Sequence, residues 1–404
     1  MLTGTGPFSY CGRKLAIEVS ALSTGSHSLP AGKLRLPKLP SDVTQKNIDA
    51  SAAFSRLFAH VMSHERVIQS LRERNVLSGH DVRVTPLAGG VSSEIFLLED
   101  GARKLVVKQA LPRLKVQDEW QADISRNQVE QKFIRYAQSH VPQNVLPLVL
   151  GEREQCFFVM EFLGDGYVTW KHELLAGKFD LKVARAVARL LATIHKVSWE
   201  DAVARQQFPT GENFYALRVH PYLITTGMRH PSLRSQFEME AKRLLASQIA
   251  LVHGDYSPKN IMIRADRLIL LDHEVAWFGD PAFDLAFLLN HLFLKSLILA
   301  DGAACLELAQ AVWQEYFENL GNDRKSTLAP RVSRLLLMLM LARIDGKSPV
   351  EYLAGKETER QFVRNFVSEL LPSGNQDFTA IYAQWRARLS DCHGNNINYS
   401  APGL

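Results

Sequence analysis

Hydrophobic and polar residues follow two different patterns along the chain, and the change comes near residue 163. Before it, short runs rich in β-branched and aromatic residues alternate with glycine-containing turns. These β-type runs are 82–87, 94–99, 104–109 and 155–160. After it, apolar residues recur mostly at helical spacing. The helical segments are 181–196, 284–299, 303–320, 329–343, 358–371 and 377–389.

Other segments refine this two-part organisation. Helical patterns also cover 52–75 and 125–139, and two β-type runs, 249–253 and 267–272, interrupt the helical part. The chain is therefore predicted to be α+β, with a small antiparallel-sheet lobe followed by a larger helical lobe. We expect an extension over 1–50, a nucleotide-binding lobe over 51–163 and a helical lobe over 164–404. A cleft between two lobes is a common place for ligands.

Composition and charge narrow the class of protein. The 404 residues are 46% hydrophobic and 22% charged, a balance typical of soluble globular proteins. The net charge of +5 is not gathered into a basic run, which argues against nucleic acid as a partner. No apolar run reaches the roughly 20 residues that span a bilayer. The four cysteines are far apart and suggest free thiols, so we expect a cytoplasmic protein.

The segment His253-Gly-Asp-Tyr-Ser-Pro-Lys-Asn260, with Asp272 following the next β-type run, carries the clearest chemistry. Phosphoryl transfer to an alcohol needs a carboxylate that accepts the hydroxyl proton and oxygen ligands for a divalent ion. Asp255 can supply the first, and Asn260 and Asp272 the second. The runs before Asp255 and before Asp272 are predicted to pair as a hairpin that gathers these oxygens. The alternative is an Asx-rich turn without function.

A second motif, Gly279-Asp-Pro-x-x-Asp284, follows the first. Together the two motifs resemble the signature of the aminoglycoside phosphotransferase and choline kinase superfamily, a branch of the protein-kinase-like fold. The resemblance implies a two-lobed kinase-like fold, ATP and Mg²⁺ as cofactors, Asp255 as catalytic base, and Asn260 and Asp272 as metal ligands. It also implies that His253 and Asp284 support the catalytic loop.

The sheet lobe offers candidates for the nucleotide phosphates. Gly89, Gly90, Ser92 and Ser93 lie between two β-type runs, as a phosphate-covering hairpin requires, although an ordinary Gly-Gly hairpin turn is the alternative.

Lys108, on the next run, would pair with the α- and β-phosphates and with a helix glutamate. Glu130 is the first candidate for that glutamate and Glu119 the second.

The run that ends at Glu161 resembles the segment that joins the two lobes in kinases. The resemblance implies that the backbone carbonyl of Glu161 and the N–H of Leu163 bind adenine. The alternative is a buried strand that ends at a glycine-rich turn.

Two further features bear on the substrate. The stretch Val106–Pro112, with Glu119, Trp120 and Arg126, resembles methylthioribose kinases. Asp272-His-Glu274 resembles their Asp-x-Glu pair, which implies that Glu274 is a further metal contact. However, Tyr-Ser-Pro-Lys after Asp255 and the Gly-Asp-Pro turn differ from that subfamily, so the acceptor stays open.

Acidic and basic residues are nearly balanced over 300–390, whereas an aminoglycoside, being a polycation, favours an acidic pocket. This balance favours a neutral or anionic hydroxyl compound. Arg343 is a candidate acceptor contact, with capping of helix-end carbonyls as the alternative.

The sequence therefore predicts an ATP- and Mg²⁺-dependent kinase of a hydroxyl group on a small metabolite, such as the sugar methylthioribose. Three alternatives stay open. An aminoglycoside phosphotransferase conferring antibiotic resistance has the same motifs. A protein kinase would carry Asp-Phe-Gly and Ala-Pro-Glu segments, which are absent from the sequence. A non-catalytic nucleotide-binding module has usually lost one of the residues matching Lys108, Asp255, Asn260 and Asp272.

Overall fold

A computed structural model describes residues 64–79, 81–87, 93–111, 123–153, 156–265, 267–374 and 377–394. The extension 1–50, the candidate phosphate residues Gly89, Gly90 and Ser92, and Glu119 lie outside these residues. The chain divides into two compact units, one formed by residues 1–90 with 94–108 and the other by 91–93 with 109–404. The lobe boundary at residue 163 stays a prediction.

The first unit combines one helix with neighbouring strands. Helix α1 covers 64–73 of the described residues, inside the segment predicted to be helical, and the ring of His64 lies 4.3 Å from that of Phe96. The strands are β1 (Arg83–Pro86), β2 (Ser93–Asp100) and β3 (Arg103–Ala110), of which the first residue of β2 and the last two of β3 belong to the second unit. Strands β1 and β2 are antiparallel, and β3 lies on the other side of β2. The predicted antiparallel arrangement is therefore present here.

The second unit begins with a helix and two strands. They are α2 (Arg126–His140), β4 (Leu148–Glu152) and β5 (Phe157–Glu161), and the two strands pair antiparallel. Strand β6 (Val168–Thr169) and helices α3 (Trp170–Leu175) and α4 (Leu181–Val197) follow. The Asp180 side chain accepts a hydrogen bond from the Lys182 amide, which caps α4 at the residue where its apolar periodicity begins.

A succession of short helices connects α4 to residues 253–260, called the catalytic loop below because it carries the candidate base Asp255. They are α5 (Ala202–Gln207), α6 (Gly211–Phe214), a π-helix (Tyr215–Ile224), α7 (Thr225–Arg229) and α8 (Arg234–Ala246). The π-helix contains Pro221, which has no N–H for the helical ladder. A π-helix of this length is rare, and π-helical turns are frequent at functional sites.

Five segments frame the catalytic loop. They are β7 (Ala250–Val252), a 3₁₀ turn (Pro258–Asn260), β8 (Ile261–Arg264), β9 (Arg267–Leu270) and β10 (Trp277–Gly279). The predicted hairpin between the runs 249–253 and 267–272 is wrong, because β7 pairs with β10 whereas β9 pairs with β8. The loop and the segment that carries Asp272 are joined in another way, since the Leu271 amide donates to the Asn260 carbonyl at 2.9 Å.

The rest of the second unit is helical. It contains α9 (Ala282–Ser296), α10 (Gly302–Leu320), α11 (Asn322–Asp345), α12 (Glu357–Leu370) and α13 (Phe378–Gly394). Every residue of α9 is buried, so this helix lies at the centre of the helical core. The prediction of an α+β, protein-kinase-like fold is confirmed. Among the described helices, none is long and apolar enough to cross a lipid bilayer.

Candidate active site

Asp284, in the first turn of α9, supports the catalytic loop from inside the core. Its carboxylate is fully buried and accepts hydrogen bonds from the backbone N–H groups of His253, at 2.6 Å, and Gly254, at 2.9 Å. His195 lies 3.3 Å from the same carboxylate, and the other ring nitrogen of His195 lies 2.8 Å from the Tyr316 hydroxyl. Bonds to a buried carboxylate are charge-assisted, so this network fixes where the loop begins.

His253 fixes the next residue of the loop. Its Nδ1 accepts from the backbone N–H of Asp255 at 3.1 Å, which assigns the proton to Nε2, and Nε2 donates to the Leu271 carbonyl at 3.2 Å. Burial lowers the pKa of His253, although Asp284, Asp255 and Asp272 oppose that shift. The ring is therefore neutral and acts as a spacer between the loop and the segment that carries Asp272.

Gly254 stands where no side chain fits. Its φ is +77°, in the left-handed region, and an added Cβ would lie 2.7 Å from the Val275 carbonyl oxygen. We expect Gly254→Ala to lower the free energy of unfolding by about 2–4 kcal/mol, the sum of left-handed strain and the clash. Gly355→Ala is the matched control, because its φ of +74° is similar and nothing lies within 4 Å. Urea unfolding measures both, and equal losses would contradict the clash.

Asp255 presents two unequal carboxylate oxygens. Its Oδ2 lies 2.9 Å from the Lys259 ammonium, 3.0 Å from the Asn260 amide nitrogen and 3.3 Å from the Arg218 guanidinium. Within the described part of the chain, no group donates to Oδ1. Three donors on one oxygen hold the carboxylate in place and leave the other oxygen to a ligand.

The charges around Asp255 keep it ionised. Burial alone would raise its pKa, but Lys259 and Arg218 outweigh burial, so the pKa of Asp255 is lower than usual. Arg218 is itself buried, and Asp255, Asp272 and Glu274 oppose the effect of that burial and hold its pKa above the usual value. The site therefore contains a carboxylate and a guanidinium that are both charged at neutral pH.

Three carboxylates form a group next to the loop. Oxygen atoms of Glu130, Asp272 and Glu274 all lie within 4.8 Å of one another. Arg126 Nε lies 3.2 Å from Glu274 Oε2, and the His273 amide donates to Glu130 Oε1 at 3.3 Å. A set of carboxylate oxygens is what Mg²⁺ prefers, with water and phosphate oxygens completing its shell. The donor set therefore fits the expected ion.

Asp272 has an unusual backbone conformation at this site. Its φ is +65°, in the left-handed region, which is uncommon for residues other than glycine but is tolerated best by Asn and Asp. The side-chain amide nitrogen of Asn260 donates hydrogen bonds to two oxygens of Asp255, the backbone carbonyl at 2.9 Å and Oδ2 at 3.0 Å. Its amide oxygen is thus the atom left for an ion. The metal roles of Asn260, Asp272 and Glu274 stay predictions that this geometry supports.

The sequence matches the phosphotransferase enzyme family, abbreviated APH, over residues 83–319, which is more than half of the chain. The chain belongs to this family. The prediction made from the two motifs is confirmed, and so is that of a small-molecule kinase at the level of the family.

Individual relatives are distant. Methylthioribose kinase from Pectobacterium atrosepticum is 24% identical over 276 residues, covering 58% of this chain and 68% of the relative. The same enzyme from Exiguobacterium sibiricum is 25% identical over 258 residues, covering 57% and 65%. The chain thus spans about two thirds of the length of these relatives. Among solved structures, choline kinase from Cryptosporidium parvum is 11% identical with a TM-score of 0.49, covering 81% of this chain and 96% of that one.

The candidate nucleotide residues of this phosphotransferase-family member are distributed over both units. Lys108 and Ser93 are buried, on β3 and β2. Glu161 is the last residue of β5, and Leu163 lies in the irregular segment after it, both half-buried. Their contacts with a nucleotide stay predictions. Glu130 was predicted to pair with Lys108, and that pairing stays a prediction, but its carboxylate also belongs to the group with Asp272 and Glu274.

Arg343, predicted to contact the acceptor, is buried in the last turn of α11. Its Nη1 donates to the Tyr222 hydroxyl at 3.2 Å, to the Ser348 hydroxyl at 3.0 Å and to the Ser348 carbonyl. The bonded carbonyl lies beyond the helix and is not one of its last carbonyls, so both the acceptor contact and the capping alternative stay predictions. The contact with Tyr222 places Arg343 near Arg218, which lies 5.8 Å from the same ring.

Sequence reasoning missed Arg218 and Lys259. Lys259 lies inside the motif, directly before Asn260, but it was given no role there. Arg218 is a buried cation in the apolar stretch Leu217-Arg-Val219 of the π-helix. A charged residue in such a stretch is almost never buried unless it is paired, which is the signal that was available.

Proposed function

We propose that this protein is an ATP- and Mg²⁺-dependent O-phosphotransferase that acts on a hydroxyl group of a small metabolite. The observation that supports the proposal most directly is the Asp255 carboxylate, whose Oδ2 is held by Lys259, Asn260 and Arg218 while Oδ1 is left for an acceptor. Two further observations support it independently: the family membership, and the cluster of three carboxylates formed by Glu130, Asp272 and Glu274.

The chemistry follows from that arrangement. The acceptor hydroxyl attacks the γ-phosphorus of ATP, a new oxygen–phosphorus bond forms, and the bond to the β,γ-bridging oxygen breaks as ADP leaves. Asp255 Oδ1 accepts the hydroxyl proton. Lys259 and Arg218 keep the carboxylate oriented. A magnesium ion held by Asp272 with Asn260, Glu274 and Glu130 would neutralise phosphate charge.

Turnover by the purified protein tests the proposal. We expect Mg²⁺-dependent ADP release, with an equal amount of phosphorylated product, from at least one member of a panel of methylthioribose, other sugars, polyols, hydroxy acids and choline. Methylthioribose belongs in the panel because the relatives are named for it. Failure to bind MgATP, combined with no turnover, would overturn the proposal.

The metal role of Asp272 can be measured separately. Asp272→Asn keeps a residue that tolerates the left-handed backbone and removes one negative charge. We expect the Mg²⁺ concentration for half-maximal turnover to rise about tenfold or more, because one charged ligand is lost. The exposed Asp323→Asn serves as the control. A Mg²⁺ titration identical in Asp272→Asn and wild type would contradict the assignment.

Aminoglycosides are the weaker acceptor class for this protein. Although burial and the nearby Asp255 oppose them, Arg343, Arg218 and Lys259 together hold the pKa of the Tyr222 hydroxyl below its usual value. A polycation would be repelled by these three cations. An aminoglycoside panel is still worth assaying, and efficient turnover of one would overturn this preference.

A further inference from the structure

One face of α9 connects the catalytic loop with a buried lysine. Asp284, Phe287, His291 and Lys295 follow one another at intervals of three or four residues, so they lie on the same side of the helix. Asp284 contacts the loop directly. Lys295 lies eleven residues further on, about 16 Å along the helix axis at 1.5 Å per residue.

Side-chain contacts are continuous along the first half of this face. Arg218, paired with Asp255 at 3.3 Å, also lies 5.9 Å from the centre of the Phe287 ring. Phe287 meets His291 edge-on, with the ring centres 5.2 Å apart. Arg218 and Phe287 therefore link the candidate base to His291.

The second half of the face leads to Lys295. His291 Nδ1 lies 3.3 Å from the Tyr352 hydroxyl, and the Lys295 ammonium lies 4.2 Å from the centre of the Tyr352 ring. Lys295 is only 1% exposed. Among the described residues, no carboxylate forms an ion pair with its ammonium and no group accepts a hydrogen bond from it; the ammonium contacts the face of the Tyr352 ring instead.

A buried ammonium without an acceptor is costly, since lysine is almost never buried unless it is paired. The pKa of Lys295 is lowered to about 7, mainly by burial; Lys171 and Arg343 also lower it, and Cys305 and Glu351 oppose them. Glu351 is itself paired with Lys171. Within the described part of the chain, the Lys295 ammonium therefore has no carboxylate partner of its own.

The neighbouring groups carry the same sign. Lys295, Arg343, Lys259 and Lys171 all lower the pKa of His291, after burial, which is the largest cause. Lys259 and Lys171 are paired with Asp255 and Glu351, whereas Lys295 and Arg343 have no carboxylate partner among the described residues, so positive charge is left near His291. An anion placed there would supply the partner that Lys295 lacks.

We propose that the acceptor carries an anionic group, a carboxylate or a phosphate, which binds Lys295 beside His291 and Tyr352 while its reacting hydroxyl lies at Asp255. This inference rests on the proposed phosphotransferase function. It narrows the acceptor to hydroxy acids or hydroxylated phosphate esters, with the hydroxyl and the anion at opposite ends of the molecule.

Acceptors that share one carbon skeleton but differ in charge test whether the protein prefers an anionic acceptor. Ribitol, ribonate, ribitol 5-phosphate and 1-amino-1-deoxyribitol are compared by MgATP-dependent ADP release. We expect kcat/KM for an anionic member to exceed that for ribitol about tenfold or more, the equivalent of one charge-assisted hydrogen bond. Whether ribonate or the phosphate ester is preferred distinguishes the two anions. Turnover of ribitol or its amine that equals or exceeds both anions overturns the proposal and leaves the kinase function intact.

Variants of Lys295 assign the preference to this residue. Lys295→Met keeps the length of the side chain and removes its charge, and we expect it to reduce the anionic-to-neutral ratio to about one, mainly through KM. Lys295→Arg should restore part of the ratio. The exposed Lys182→Met is the control and should behave as wild type. An unchanged ratio in Lys295→Met overturns the proposal.

A titration provides a readout that needs no turnover. The Lys295 ammonium is followed by ¹³C NMR of labelled lysine in the full chain, with the signal assigned by its absence in Lys295→Met. We expect ribonate, ribitol 5-phosphate or inorganic phosphate at millimolar concentration to raise its titration midpoint, and ribitol to leave it unchanged. If no anion moves the midpoint, the proposal is overturned even where the kinase assay succeeds.

Discussion

Asp255→Asn should lower kcat about 10²–10⁴-fold while leaving the affinity for MgATP nearly unchanged. A positioned general base contributes a factor of this size, and the substitution removes the proton acceptor without changing the shape of the side chain. MgATP affinity should persist because the predicted nucleotide and metal contacts involve other residues. Single-turnover ADP formation and nucleotide titration measure the two quantities.

The two cations that pair with Asp255 affect the stability of this variant as well as its activity. In the wild-type protein Lys259 and Arg218 both pair with Asp255 Oδ2, and they hold its pKa below the usual value against the effect of burial. An asparagine at position 255 would leave both cations without their carboxylate. The variant is therefore expected to lose some stability as well as activity, and kcat must be measured where unfolding experiments show it to be folded.

Asp323→Asn provides the matched control, since it makes the same chemical change on an exposed turn of α11. It should retain wild-type kcat. If folded Asp255→Asn kept kcat within threefold of wild type, Asp255 would not be the base, and the phosphotransferase proposal would need another acceptor for the hydroxyl proton.

Local sequence was sufficient for the catalytic loop. His253, Asp255 and Asn260 lie within eight consecutive residues, and their hydrogen bonds to one another are short-range. The long helices were also predictable, because α4 and α12 keep an apolar stripe at helical spacing. Sequence patterns predict a structure well when the interacting residues lie in one short segment.

Strand pairing was predicted incorrectly for a physical reason. The four-residue strand β8 was not recognised, so β9 was predicted to pair with the preceding recognised run, 249–253. In the structure only two residues, 265 and 266, separate β8 from β9. Such a tight connection favours a hairpin between them. Strand β7 then pairs with β10, beyond the metal-site segment.

Partners distant in sequence were equally beyond pattern analysis. Arg218 precedes its partner Asp255 by 37 residues, and Glu130 lies 142 residues before Asp272. Nothing in the neighbourhood of either residue indicates the other. A π-helix, which has no common sequence signature, positions Arg218. These contacts depend on tertiary packing, and they determine the charge around the base.

Asp284→Asn is expected to impair both folding and catalysis. The wild-type carboxylate accepts from two backbone N–H groups and lies 3.3 Å from His195, all inside the core. An amide offers only one oxygen, so one N–H group of the loop would face another N–H. We expect the free energy of unfolding to fall by about 3 kcal/mol or more, since charge-assisted bonds contribute about 1.5–3 kcal/mol each.

Asp280→Asn separates the effect of Asp284→Asn on stability from its effect on the position of Asp255. Asp280 is also fully buried, and its carboxylate forms ion pairs with Arg243 and Arg331. Among the described residues, it makes no hydrogen bond to the catalytic loop. We expect both variants to unfold at lower urea concentration, but only Asp284→Asn to lose kcat, about tenfold or more, when measured fully folded. If the two variants retained equal kcat, Asp284 would be a stabilising residue that does not position Asp255.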